Sequence, residues 1–305
     1  MTERDIFLTA LEHEDLAGRA AYLDAACAGR PALRRRVEAL LRCHHADAAF
    51  LAVPVMEQLA DAEESLAFLS PPAEPGSLGR LDHYEVLEVV GRGGTGVVLK
   101  ARDTKLQRVV AVKALAPRLA ASAAARERFV REAQAAAAVR DDNVVAIYAV
   151  GDDGPVPYLV MEYIHGLTLD QRVRRDKALE LKETLRIGMQ VAAGLAAAHA
   201  TGLIHRDIKP ANILIEPGPH LHVKITDFGL ARAADDASLT QSGMVAGTPL
   251  FMAPEQAQGE SLDHRADLFS LGSVLYAMCA GRPPFRAPTT VAVLKRVCED
   301  EPRDV

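Results

Sequence analysis

The segment His205-Arg206-Asp207-Ile208-Lys209-Pro210-Ala211-Asn212 holds a carboxylate, an ammonium and an amide within six residues, beside a proline. Asp227-Phe228-Gly229 follows Asp207 by 20 residues. A carboxylate can take a proton from a reacting hydroxyl. An ammonium can neutralise charge that develops on a transferring group. Asn212 and Asp227 both carry hard oxygen donors, which suit a magnesium ion. Far upstream, Lys113 closes the apolar run Val110-Ala111-Val112-Lys113. A lysine in an apolar strand is costly unless paired. Glu132, 19 residues later, is a candidate partner for it. Lys113 could equally snorkel to water, with Glu132 on a wet helix face. Gly91-Arg92-Gly93-Gly94-Thr95-Gly96-Val97-Val98 is rich in glycine, so its backbone can close over phosphates and turn N–H groups inward. A dinucleotide-binding fold would place such a stretch before a helix. Here Val97-Val98-Leu99-Lys100 continues as a strand, which predicts a strand–turn–strand lid. Each segment alone is also an ordinary turn or hairpin. In this order, after a glycine-rich loop and an isolated strand lysine, they are no chance collection of surface turns.

These residues need elements to position them. Tyr84–Val90, Val97–Leu99 and Val109–Val112 read as a strand meander. A helix follows from about Ser122 to Val139, with Ser122 as its N-cap. Val144–Val150 and Tyr158–Tyr163 read as two more strands. Ile213–Ile215 and Val223–Ile225 form a short hairpin that brings Asp207, Asn212 and Asp227 to one end of a cleft. Beyond Leu181 helices dominate, and the Ala-rich run Val191–Ala200 is a packed helix. The pattern is α+β: a small antiparallel β lobe with one helix, then a large helical lobe. Residues 2–70 look all-α. Leu16, Ala20, Leu23 and Cys27 make one helical stripe, which Gly29 ends. Leu33, Val37, Leu40, Leu41 and His44 make another, which Pro31 opens. Ser70–Gly76 is rich in proline. The predicted organisation is a helical module over 1–69, a Pro/Gly linker over 70–81 and a catalytic domain over 82–305.

Composition narrows the function further. The 305 residues are 49% hydrophobic and 25% charged, enough for packed cores. A net charge of −6 leaves no basic footprint for nucleic acid. Trp is absent, so the cores must be aliphatic. Cys27, Cys43, Cys279 and Cys298 are widely spaced and none forms a CxxC pair, which argues against structural zinc or a disulfide framework. Cys43-His44-His45 reads as a polar helix end. The N-terminus lacks an apolar signal core, and no run of about 18 apolar residues offers a membrane span. The expected location is a reducing cytoplasm, with a membrane anchor beyond residue 305 left open.

From Tyr84 to the C-terminus the motifs resemble the protein kinase superfamily, in its bacterial, eukaryotic-like Ser/Thr form. The resemblance implies a two-lobed fold acting on ATP with Mg2+. Val90, Gly91, Arg92, Gly93, Gly94, Thr95, Gly96, Val97 and Val98 would cover the nucleotide. Lys113 would contact the α- and β-phosphates and pair with Glu132. Asp207 would accept or orient the proton of the substrate hydroxyl, and Lys209 would neutralise the γ-phosphate. Asn212 and Asp227 would hold magnesium. Met161 would be the gatekeeper. The Glu162 carbonyl and Ile164 N–H would bind adenine, with Val98, Ala111 and Leu214 on its faces. Lys209-Pro210-Ala211-Asn212 and Gly247-Thr248-Pro249 imply Ser or Thr acceptors in protein substrates. Arg206 implies a phosphorylated activation loop, with Thr240, Ser242 and then Ser238 as acceptors, and self-association for transfer in trans.

Asp267–Gly272 resembles the buried helix of the large lobe, with Phe269 where the family usually has Trp. Gly281–Phe285 and then Val291–Val297 resemble the segment and helix that follow. The chain stops at Val305, so the resemblance implies a large lobe without its last helices and without the arginine that pairs with Glu255. Residues 21–34 look like the helical leader of some large bacterial kinases. The alternative reading is an inactive truncated fragment, or a scaffold that still binds nucleotide.

Overall fold

A computed structural model describes residues 22, 23, 26, 27, 34, 66–218, 221–228 and 249–304. The chain divides into two compact units, Met1–Glu64 and Ser65–Val305. In the first unit Leu23 and Cys27 are buried, and the Cys27 N–H donates to the Leu23 carbonyl at 3.0 Å. That is one helical turn, with both residues on the stripe read from the sequence. The second stripe, Leu33 to His44, lies outside the described residues.

The second unit begins with a six-stranded antiparallel sheet in the order β1-β2-β3-β4-β6-β5. Its strands are β1 (Gly79–Leu81), β2 (Tyr84–Gly93), β3 (Gly96–Asp103), β4 (Arg108–Leu115), β5 (Ile147–Gly151) and β6 (Tyr158–Glu162). β3 alternates strictly between buried and half-buried residues, as a strand with one face on a core must. β4 lies mid-sheet and is buried from Val110 to Leu115. Two helices, α1 (Pro117–Ala120) and α2 (Ala123–Ala137), lie between β4 and β5. Ser122 caps α2 by accepting from the Ala125 N–H, as the sequence predicts. Phe129, Ala133 and Ala136 give α2 its buried face. The core beneath is aliphatic, built on Val86, Leu99, Val112, Leu115 and Leu159 around Phe129.

The segment over 70–81, predicted as a linker, ends in β1 and is folded against this sheet. Glu85 is only 1% exposed. Its Oε1 accepts from the Ala73 and Glu74 N–H groups and from the Ser77 hydroxyl. A buried carboxylate must find donors, and here the loop supplies them. Ser70 and Arg80 bridge the two ends of the loop. Leu66, Phe68 and Leu69 pack on the sheet's core, so these residues fold with the second unit rather than with the first.

The rest of the unit is mostly helical. β7 (Leu167–Thr168) leads into α3 (Leu169–Asp176), which Thr168 and Gln171 close with a reciprocal capping box. α4 (Leu181–Ala200) is the long central helix. A 3-10 turn (Pro210–Asn212) precedes β8 (Ile213–Glu216) and β9 (His222–Ile225), which pair antiparallel as predicted. Another 3-10 turn (Pro249–Phe251) comes before α5 (Pro254–Ala257), α6 (Arg265–Ala280) and α7 (Thr290–Glu299). Ile187, Val191 and Leu195 of α4 share a core with Val274 and Met278 of α6. Phe269 stacks on Phe285 with centroids 6.2 Å apart and planes 8° from parallel, beside Val293 and Val297 of α7. Among the described residues no helix is long and apolar enough to cross a membrane.

Candidate active site

β4 and the segment just after β9 supply the two charges at the centre of the site. Lys113 stands in β4 with Val98 of β3 and Leu159 of β6 as its cross-strand neighbours. Its side chain is 8% exposed, and its Nζ is 2.9 Å from Asp227 Oδ1. Burial alone would push the Asp227 carboxyl up. The Lys113 ammonium and its hydrogen bond outweigh that and hold the group below the ordinary carboxylate range. Lys113 thus forms an ion pair with Asp227. Glu132, the partner expected from the spacing, is half-buried on α2.

Asp227 lies two residues beyond the end of β9 and has φ of +67°. Arg206 has φ of +66°. Left-handed backbone at non-glycine residues costs free energy, and such residues cluster at functional sites. Contacts on both sides hold Asp227 in place. The Thr226 N–H donates to the Asn212 carbonyl at 3.0 Å. Phe228 is buried, with its ring centroid 4.5 Å from that of His205.

The loop carrying Asp207 hangs from a single buried carboxylate. Asp267 of α6 is fully buried. Its Oδ2 accepts from the His205 N–H at 2.8 Å, and its Oδ1 accepts from the Arg206 N–H at 2.7 Å. His199 Nε2 lies 2.7 Å from the same Oδ2. His205 is itself buried, with Nε2 2.9 Å from the Thr226 carbonyl and Nδ1 accepting from the Asp207 N–H at 3.2 Å. Those contacts fix a neutral ring with its proton on Nε2. Burial lowers the His205 pKa, against the opposing pull of Asp267. Gln256 Nε2 donates to the Arg206 carbonyl at 2.9 Å and holds the loop from α5.

This loop presents Asp207, Lys209 and Asn212 together. Lys209 Nζ is 2.7 Å from Asp207 Oδ2. Asn212 Nδ2 donates to the same oxygen at 3.0 Å and to the Asp207 carbonyl at 2.8 Å. Since Asn212 makes both bonds through nitrogen, its Oδ1 remains an acceptor for a cation. With the Asp227 carboxylate, this makes a small set of hard oxygen donors of the kind magnesium takes alongside phosphate and water.

Most of the remaining predicted residues belong to the β sheet and its margin. β2 and β3 form the lid hairpin, with Gly93 opposite Gly96. Gly96 has φ of +156°, and a Cβ there would stand 2.0 Å from the Ala114 carbonyl oxygen. Only glycine fits that approach. Val90, Arg92, Gly93 and Gly94 are exposed, whereas Gly91 and Thr95 are half-buried. Val97, Ala111 and Met161 are buried in the small-lobe core, with Val98, Ile164 and Leu214 packed at its margin. The Glu162 N–H donates to the Ala146 carbonyl at 2.9 Å. Glu162 Oε2 pairs with Lys224 Nζ of β9 at 3.1 Å. Gly229, Ser238, Thr240, Ser242 and Thr248 lie outside the described residues.

The sequence reading missed the anchoring role of Asp267, the Lys224–Glu162 pair and the Glu85 hub. One sequence signal marks the first: an aspartate in an otherwise apolar helix must find buried donors.

The comparisons with known proteins agree with this geometry. The family model of the protein kinase domain matches residues 84–302. The chain is 43% identical over 226 residues to the serine/threonine-protein kinase PknB of Mycobacterium leprae, covering 72% of this chain and 36% of that protein. It is 42% identical over 227 residues to PknB of Mycobacterium tuberculosis strain H37Rv, with the same coverage. A probable serine/threonine-protein kinase of Clostridium acetobutylicum is 41% identical over 219 residues, covering 72% of this chain and 33% of that protein. The chain thus spans about a third of the length of the curated relatives it matches. A lysine buried mid-sheet opposite Asp227, an Asp207 loop hung from α6, and a match covering both lobes lead to one conclusion: the chain belongs to the protein kinase family.

Proposed function

We propose that this chain is a serine/threonine protein kinase, transferring the γ-phosphoryl group of ATP to Ser or Thr hydroxyls of proteins. The observation that carries this reading is the Asp207 carboxylate, held through one oxygen by Lys209 and Asn212. Its other oxygen is left for an acceptor hydroxyl. The hydroxyl oxygen bonds to the γ-phosphorus as its proton passes to Asp207. The bond from that phosphorus to the bridging oxygen breaks, and ADP leaves with the electron pair. Lys209, beside Asp207, meets the charge on the transferring group. Lys113 moves from Asp227 to the α- and β-phosphates, with Glu132 as its carboxylate partner. Magnesium, held by Asn212 and Asp227, neutralises phosphate charge when bound. The 90–98 lid covers the phosphates. Met161, Glu162 and Ile164 line the adenine edge, with Val98, Ala111 and Leu214 against the ring.

The Ser/Thr preference rests on Lys209-Pro210-Ala211-Asn212 and on the likeness to serine/threonine-protein kinases. A cytoplasmic location for this domain, protein substrates, and self-association with phosphorylation at Thr240, Ser242 or Ser238 belong to the same proposal. The test incubates the chain with Mg-ATP and generic protein acceptors, then maps the phosphorylated residues. Label on Ser and Thr, including the 238–242 segment, and its loss in Lys113→Met by at least about a thousandfold, are expected. Label on tyrosine alone, or an undiminished Lys113→Met, contradicts the reading.

A further inference from the structure

The tip of the lid is tied to the start of α1. Ideal Cβ positions at Gly91 and Gly93 meet nothing within 4 Å. Three contacts run to the junction of β4 and α1. Gly96 lies directly against the Ala114 carbonyl, where no Cβ would fit. The Thr95 carbonyl accepts from the Ala116 N–H at 3.0 Å. The Gly94 carbonyl accepts from Arg118 Nη2. The first two contacts belong to the backbone and would form with many sequences. The third depends on a single exposed side chain on α1, which leads into the helix that carries Glu132.

We infer that Arg118 is a positioning residue for phosphoryl transfer: it latches the lid tip to α1 and so sets the height of the lid over the nucleotide phosphates. A planar, trans peptide carries its C=O and the next N–H on opposite sides. Pinning the Gly94 carbonyl therefore also fixes the direction of the Thr95 N–H, one of the amides a lid offers to phosphate. A guanidinium suits the task, because its donors are rigidly forked and one bond leaves others unused. The latch also links the lid to the α1–α2 segment, so lid position and α2 position are coupled through one side chain. The catalytic groups Asp207, Lys209 and Lys113 are not touched, so the effect falls on nucleotide binding rather than on the chemical step.

This inference rests on the phosphotransfer reading above, and the test separates the two. The full chain, Arg118→Ala and Arg118→Lys are compared in three measurements. These are steady-state kinetics with ATP, equilibrium binding of a non-hydrolysable ATP analogue, and amide hydrogen exchange without nucleotide. Arg118→Ala should raise the ATP KM and the analogue Kd about tenfold, the worth of a hydrogen bond from a charged donor, with kcat within about twofold. It should also speed exchange of the 93–97 amides and leave the rest of the sheet unchanged. Arg118→Lys should recover part of each loss. Unchanged lid exchange, unchanged analogue binding, or a fall in kcat with KM intact overturns the latch. A wild-type chain that binds the analogue but transfers no phosphate defeats the phosphotransfer reading instead, and the exchange and binding results still decide the latch.

Discussion

His205 and Asp267 show how much of a candidate active site is held in place by buried side chains. Asp267 fixes two consecutive backbone N–H groups, and His205 spans the Asp207 N–H and the Thr226 carbonyl. The candidate catalytic residues stand out in the sequence because their types state their chemistry: a carboxylate, an ammonium and an amide in one short segment. The clamp was less readable, because Asp267 and His205 are 62 residues apart and only the fold brings them together. The Lys113–Asp227 pair was hidden for the same reason. Spacing points from Lys113 to Glu132 and gives no sign of Asp227, 114 residues further on. One consequence concerns pH. Burial lowers the His205 pKa from its ordinary value of 6.5, so the folded chain holds the ring neutral. The unfolded chain then binds the extra proton first as pH falls below about 6.5. The stability contributed by neutral His205 is thus fully present above that value and is lost as pH drops from it through the folded pKa. Urea unfolding between pH 7.5 and 5 should show the decline, and His205→Gln should flatten it. A His205→Gln chain with the wild-type slope would show that another group is responsible.

At the scale of elements, local signals worked where the local residues decide the outcome. Ser122 caps α2, and alternation marks β3. Helical spacing marks the run 191–200 within α4. They failed at residues 70–81, where proline and glycine suggested a linker. The composition does allow a loop there, but it cannot show that a buried Glu85 draws that loop onto the sheet. Glu85→Ala removes the shared acceptor of three donors, each worth about 1 kcal/mol. The variant should lose hydrogen-exchange protection at Ala73 and Glu74 and melt several degrees lower. Protection equal to wild type would show that Leu66, Phe68 and Leu69 hold the segment without the carboxylate. Phe269 shows the complementary case. Where the resemblance leads one to expect Trp, Phe269 stacks on Phe285 in a cluster with Val293 and Val297 of α7.

At the scale of the whole molecule, the two lobes have separate cores and separate duties. The β lobe carries the glycine-rich hairpin, Lys113 and Met161, and the helical lobe carries Asp207, Lys209, Asn212 and Asp227. Backbone bonds join them: the Val145 N–H donates to the Ile225 carbonyl at 2.9 Å, and the Ile225 N–H to the Asn143 carbonyl at 2.8 Å. Phosphoryl transfer asks for this arrangement, because its catalysis is mostly positioning and charge neutralisation across a cleft. The α+β class and the order of the lobes were legible in the shift from strand texture to helical texture near Leu181. How the lobes join was not, because the bonds run from residues 143–145 to residue 225 and leave no local mark in the sequence. The central claim is that Asp207, as this structure holds it, supports phosphotransfer in this chain. Intact-mass measurement of the purified chain after incubation with Mg-ATP tests it most directly, beside Asp207→Asn treated identically. The account predicts mass gains of whole phosphoryl groups in the wild type and none in Asp207→Asn. Equal gains in both, or none in a wild-type chain given protein acceptors that also stay unlabelled, would contradict it.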